Sequence, residues 1–141
     1  MWFSIRIVLL GLWVGAMAAF AFVFAPIAFA HIGPTPAFAA TIAANVRAIV
    51  QGGNWIAVLC AAITVYARLE PRRTSALIVG CLALAVLCGA FETGIIVPQM
   101  EHTPLLTPAY DALHRESSGV YGLASLAALV AFWLCTRRRV S

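Results

Sequence analysis

Residues 7–30 read IVLLGLWVGAMAAFAFVFAPIAFA, and this run decides the fold class. It holds no charged side chain and exceeds the roughly 20 apolar residues that carry an α-helix across a bilayer. Ala28-Phe29-Ala30 imitates the cleavage site of a secretory leader. The run is longer than the apolar core of about 7–15 residues that such leaders carry, so it reads as a retained membrane helix.

Working outward, three more runs have the same character. Of 141 residues, 63% are hydrophobic and 10% charged, whereas a soluble domain carries about 25% charged residues. A small domain cannot hide that much apolar surface from water, so lipid is the implied solvent. The expected architecture is all-α: one domain, 1–141, forming an integral membrane four-helix bundle with helices at about 5–30, 36–69, 74–97 and 109–135. Pro36 at a first helical turn, with Thr35 as cap, marks the second start. That helix is predicted to be long, about 50 Å at 1.5 Å per residue. Its first half, to about Arg47, is expected to be extramembrane or interfacial on the outward side. Gly52-Gly53 is the expected bend. Glu70-Pro71-Arg72-Arg73 is a tight charged turn that makes the second and third helices antiparallel neighbours. Pro98 ends or kinks the third helix. No internal repeat is evident.

The net charge of +4 comes from nine Arg and no Lys. These Arg residues lie at the ends of apolar runs and not in an aromatic-interleaved patch, which favours membrane anchoring over nucleic acid. Arg6, Arg68, Arg72, Arg73, Arg137, Arg138 and Arg139 share one side, with Arg47 and Arg115 toward the other. The positive-inside rule then puts both termini in the cytoplasm, with a bacterial inner membrane as the expected location. Cys60, Cys81, Cys88 and Cys135 fall inside apolar runs without metal spacing and read as small buried hydrophobes. Trp2 and Trp133 suit interfacial belts. Trp13 and Trp55 are expected deeper, in the core.

Aligned from their cytoplasmic ends, the helices bring polar side chains to one depth. Arg47, Gln51 and Asn54 form a stripe at i, i+4 and i+7 on the second helix. His114, Ser118 and Tyr121 repeat that spacing on the fourth, with Ser117 adjacent and Ser125 extending the stripe. Glu92 is the one acid deep in the third. Arg47 and Glu92 are the expected ion pair. Two readings compete: a register-fixing set of interhelical bonds, and a small-ligand or ion site, since ionisable groups at bilayer depth are functional candidates. Gly11 and Gly15 form a GxxxG pair suited to close helix contact or a dimer seam. A metal reading uses His31, Glu101, His102 and His114 at the outer face, with copper or zinc as candidates.

The segment Leu113-His114-Arg115-Glu116-Ser117-Ser118-Gly119-Val120-Tyr121 resembles the entry to the last helix in the transmembrane protein 205-like family, a domain of unknown function (number 4149). Val97-Pro98-Gln99-Met100, Gly11-Leu12-Trp13-Val14-Gly15 and Phe24-Ala25-Pro26 are similar to other landmarks of that family. Gly52-Gly53-Asn54-Trp55 departs from it, where an aromatic-rich stretch is expected. The resemblance implies a four-helix membrane fold and no established reaction. Pro26, His114 and Ser117 carry over as its important positions.

The expected function is therefore a non-enzymatic membrane role: accessory, stress-tolerance or small-solute handling, with no cofactor. The expected partners are the lipid bilayer and either a second copy or another membrane protein. The alternative is a haem- or copper-binding redox-associated protein using His114 with the outer-face His and Glu residues. Nucleophile chemistry by Ser117 or Ser118 with His114, oriented by Glu92, is the weakest reading.

Overall fold

The computed structural model describes residues 1–32 and 35–137, so Gly33, Pro34, Arg138 and Arg139 lie outside the described residues. Among the described residues are four helices long and apolar enough to cross a membrane, and they form an all-α four-helix bundle. The first is continuous through Trp2–Ala19, Phe20–Phe24 and Ala25–Ile32. The second is Pro36–Ala67, the third Arg72–His102 and the fourth Pro108–Thr136. The first and third helices each pack against the second and fourth, so 1–3 and 2–4 are diagonals of the bundle. Met1, Arg137 and the 68–71 turn mark one end, hereafter the terminal end; Glu101 and His102 mark the far end.

The apolar pattern is that of a lipid-solvated protein. Large side chains such as Phe22, Leu87 and Leu126 point outward, while the inner seams carry Gly89, Ala85, Ala124, Ala127, Ala128 and Ala131. With lipid outside as apolar as the core, helices associate through close packing, which small residues permit. Gly11 is used in this way inside the bundle, 3.6 Å from the Phe132 ring at its Cβ position, whereas Gly15 meets nothing within 4 Å. Cys60, Cys88 and Cys135 are buried as expected, and Cys81 is half-buried. Trp13 is in the core, but Trp55 is 76% exposed on the outward face, contrary to the expected pair of core tryptophans.

The second helix runs unbroken through the Gly52-Gly53 pair. Two local expectations change. Pro98 does not end the third helix, which continues to His102. The second helix is consequently no longer than its neighbours by more than a turn. The reason is a π-helical turn in front of each internal proline: Phe20–Phe24 before Pro26, and Glu92–Ile96 before Pro98. A proline lacks an N–H and its ring strikes the carbonyl four residues back. A π turn adds one residue to the helical circuit and relieves that clash. Ala25 N–H accordingly bonds the Phe20 carbonyl, and Val97 N–H bonds that of Glu92.

These two devices belong to a repeat that the sequence alone did not reveal. Phe20–Phe24 and Glu92–Ile96 are 72 positions apart, as are Pro26 and Pro98. Thr35-Pro36-Ala37-Phe38 and Thr107-Pro108-Ala109-Tyr110 keep the same offset. Thr35 accepts from Phe38 N–H at 3.2 Å and Thr107 from Tyr110 N–H at 3.2 Å, the same N-cap in both hairpins. The buried stripe Arg6, Leu10, Trp13 and Met17 maps onto Ile78, Leu82, Ala85 and Gly89. The bundle is thus two helical hairpins built on one plan, and the residues that differ between them are where polar chemistry was added.

Candidate functional site

Glu92 stands at the first position of the third-helix π turn and is 1% exposed. The fourth helix brings Ser117 against it, and the Ser117 hydroxyl donates a short hydrogen bond to Glu92 Oε1. Glu92 Oε2 has no partner. Two more buried polar atoms nearby are also unpartnered: Asn54 Oδ1 and Trp13 Nε1. Glycines seat both side chains. A Cβ on Gly53 would lie 1.9 Å from Trp13 Nε1, and one on Gly89 would lie 2.5 Å from Asn54 Oδ1. Gly89 is one helical turn before Glu92, and Gly53 is next to Asn54 in the chain. All four helices therefore deliver a polar atom to this stretch of the bundle, Trp13 and Asn54 around Gly53 and Gly89, and Glu92 and Ser117 one turn further on. Tyr121 closes it toward the first helix, its hydroxyl donating to the Met17 carbonyl at 3.1 Å.

The chemistry available in this layer is that of binding. One donor (the indole N–H) and two acceptors (an amide oxygen and a carboxylate oxygen) are left without partners in a lipid-embedded core. Burying such groups unpaired is unfavourable.

The other expected members are placed elsewhere. Arg47 does not pair with Glu92. Its Nη2 lies 3.0 Å from Glu101 Oε1, with the two side chains 37% and 40% exposed. The long Arg stem lets the guanidinium leave the apolar layer and reach the more polar helix end. Gln51 is exposed on the outward face of the second helix. His114 is exposed, and Ser118 turns back to donate to the His114 carbonyl at 2.8 Å. Ser125 likewise donates to the Tyr121 carbonyl at 2.8 Å. Of the predicted layer, Asn54, Glu92, Ser117 and Tyr121 face inward together; Arg47, Gln51, His114 and Ser118 do not join them.

The four-residue metal set is not assembled either. No group of three or more His, Cys, Asp and Glu side chains converges among the described residues. His31 Nδ1 is 2.9 Å from the Ile27 carbonyl of its own helix, Glu101 is occupied by Arg47, and His114 points outward. His102 instead lines a shallow open groove with Pro98, Gln99, Thr103 and Leu113.

Sequence reasoning missed a second polar centre at the terminal end. Arg6, expected as a surface anchor, is fully buried, and Glu70 has a side chain 3% exposed. Both guanidinium nitrogens of the Arg6 fork bond the Glu70 carboxylate, Nη1 to Oε2 at 3.1 Å and Nη2 to Oε1. Nη1 also donates to Thr64 Oγ1 at 2.9 Å, and that hydroxyl donates to the Cys60 carbonyl at 2.7 Å. Arg68 in the left-handed conformation, φ 45°, ends the second helix in the turn that carries Glu70. One signal was present: Arg6 leads the i, i+4, i+7, i+11 stripe of Leu10, Trp13 and Met17, which places it on the core face.

The model of a domain of unknown function, DUF4149, matches residues 8–105. The chain belongs to this family. The matched region spans the first three helices, including Trp13, Gly53, Asn54, Gly89 and Glu92, and ends before the fourth. In this DUF4149 member, therefore, most of the polar layer lies inside the family domain, while Ser117 and Tyr121 lie beyond the match. No curated protein and no solved structure matches the chain.

Proposed function

We propose that this integral membrane protein is a non-enzymatic binder of a small polar or cationic solute, held at the Glu92–Ser117 centre. Such a role suits small-solute handling, stress tolerance or an accessory subunit. The observation that carries the reading is Glu92 itself: a carboxylate buried among four membrane helices, with one oxygen bonded and the other open. Ionisable groups retained at bilayer depth are functional-site candidates by default. Ser117 donates to Glu92 instead of lying in a Ser–His arrangement with His114, which favours binding over nucleophile chemistry.

Both termini are assigned to the cytoplasm. With Arg6 withdrawn from the surface, Arg68, Arg72, Arg73, Arg137, Arg138 and Arg139 still outnumber Arg47 and Arg115. A bacterial inner membrane fits this arrangement. The finer likeness to transmembrane protein 205-like proteins rests on the Leu113–Tyr121 segment.

The reading is tested by thermal unfolding of the purified protein in detergent with sodium, potassium, ammonium or methylammonium chloride. At least one of these cations, or a lower pH, is expected to raise the midpoint of the wild type and not of Glu92→Gln. No shift with any of them or with pH, or an equal shift in Glu92→Gln, would count against the proposal.

A further inference from the structure

We infer that the occupant of this centre is a proton: Glu92 is held as a neutral carboxylic acid that exchanges with water at the far end of the bundle. This rests on the reading of Glu92 as a binding group and narrows its ligand.

Charge is the first argument. The two ion pairs among the described residues, Arg6–Glu70 and Arg47–Glu101, stand at opposite ends of the bundle, and neither includes Glu92. On the elements packed around it, the second helix offers only Arg47, already engaged by Glu101 of the third. The fourth helix carries His114, Arg115 and Glu116, all exposed. An ionised, fully buried carboxylate would have a single hydroxyl bond to offset its desolvation, and such a group neutralises instead.

Hydrogen bonding is the second argument. As a carboxylate, Glu92 adds a second unpaired acceptor to that of Asn54. Protonation converts Oε2 into a donor, which corrects the imbalance between donors and acceptors in the layer. Trp13 Nε1 is a further unpartnered donor beside Gly53.

Access is the third. Toward the terminal end the third helix presents Ala85, Leu82 and Ile78, all buried, and Arg6–Glu70 closes that end. Toward the far end Ile96 and Val97 are buried as well, but the route is shorter: Glu92 is ten residues from His102, about 15 Å of helix, against twenty back to Arg72, and the groove there carries Gln99, His102 and Thr103. The proton comes from a hydronium ion or buffer acid in that water, adds to a carboxylate oxygen, and returns the same way; no other bond changes.

The test is labelling of the full chain, in detergent or vesicles, with dicyclohexylcarbodiimide, an apolar reagent that adds to protonated carboxyls in apolar surroundings. Mass spectrometry is expected to find the adduct on Glu92 at neutral pH. The label should fall about tenfold for each pH unit above the titration point, while exposed Asp111 and Glu116 take only a water-soluble carbodiimide. Glu92→Gln, a neutral mimic of the acid, should lose the label and keep the wild-type melting midpoint. An unlabelled Glu92 in the folded protein overturns the proposal, as does a Glu92→Gln midpoint as low as that of Glu92→Ala. Protection of Glu92 by sodium at fixed pH overturns the proton as occupant and leaves the cation-binding reading standing. Absence of both label and cation-dependent stabilisation removes both.

Discussion

The two ends of the bundle solve the problem of charge in a membrane protein in opposite ways. At the terminal end, Arg6 and Glu70 are drawn inside and bonded to each other and to Thr64, with Arg6 Nε left without a partner. At the far end, Arg47 and Glu101 pair in the open, and the buried acid, Glu92, is given only a serine. The first arrangement ties the first helix to the second–third turn and pairs both charges, leaving one N–H, Arg6 Nε, without a partner. The second leaves an acid without a counter-charge in the core. A charge-paired cluster serves structure; an unpaired acid serves binding.

The sharpest way to break this contrast is at the buried pair. Arg6→Ala strands Glu70 in the core and is expected to destabilise the protein by about 3–5 kcal/mol in a denaturant titration in mixed detergent micelles. Arg6→Lys keeps the charge but loses the fork and should fall between. A loss below about 1 kcal/mol for Arg6→Ala would place this pair with exposed ones and erase the difference between the ends.

Next in size is the seating of the polar layer. Gly53→Ala drives a methyl into the Trp13 indole and Gly89→Ala one into Asn54, each with an expected loss of about 1–3 kcal/mol. Gly52→Ala, which meets nothing within 4 Å, should leave the unfolding midpoint near that of the wild type. Equal effects at Gly52 and Gly53 would show that the second helix is rotated away from this packing.

Smaller still, Ser117→Ala removes the one partner of Glu92, and membrane hydrogen bonds of this kind average about 0.6 kcal/mol. Its clearer signature is a shifted pH dependence of Glu92 labelling. The smallest effect belongs to Arg47→Ala, expected below about 1 kcal/mol because the pair with Glu101 is half-exposed. A double-mutant cycle joining Arg47 with Glu92 should be additive, while one joining Glu92 with Ser117 should not.

Much of the fold was legible in the sequence because hydropathy over some 20 residues is a summed signal that single residues barely disturb. One cap was legible too: Thr35 precedes Pro36 and accepts from Phe38 N–H, whereas the matching cap at Thr107 was read as loop. Glu92 and Ser117 could be brought to one level by counting residues per span. What escaped were places where a local rule is overridden by its surroundings. Pro98 reads as a helix end until the π turn before it absorbs the clash. Arg6 reads as a flank because a charge at the end of an apolar run normally meets water; only the turn that returns Glu70 makes its burial possible. Arg47 lies near the level of Glu92, but a long flexible side chain reaches outward to Glu101. The hairpin repeat escaped because it is written in a few prolines, threonines and burial positions and not in runs of identity.

The central claim is that Glu92 is a neutral, incompletely bonded acid inside the bundle. Infrared difference spectroscopy of the folded protein at neutral pH, wild type against Glu92→Gln, tests it most directly. The account predicts a protonated-carboxyl C=O stretch in the wild type that disappears in Glu92→Gln and persists in Arg47→Ala. A wild-type spectrum showing only carboxylate bands, or a protonated-acid band that survives Glu92→Gln, would contradict it.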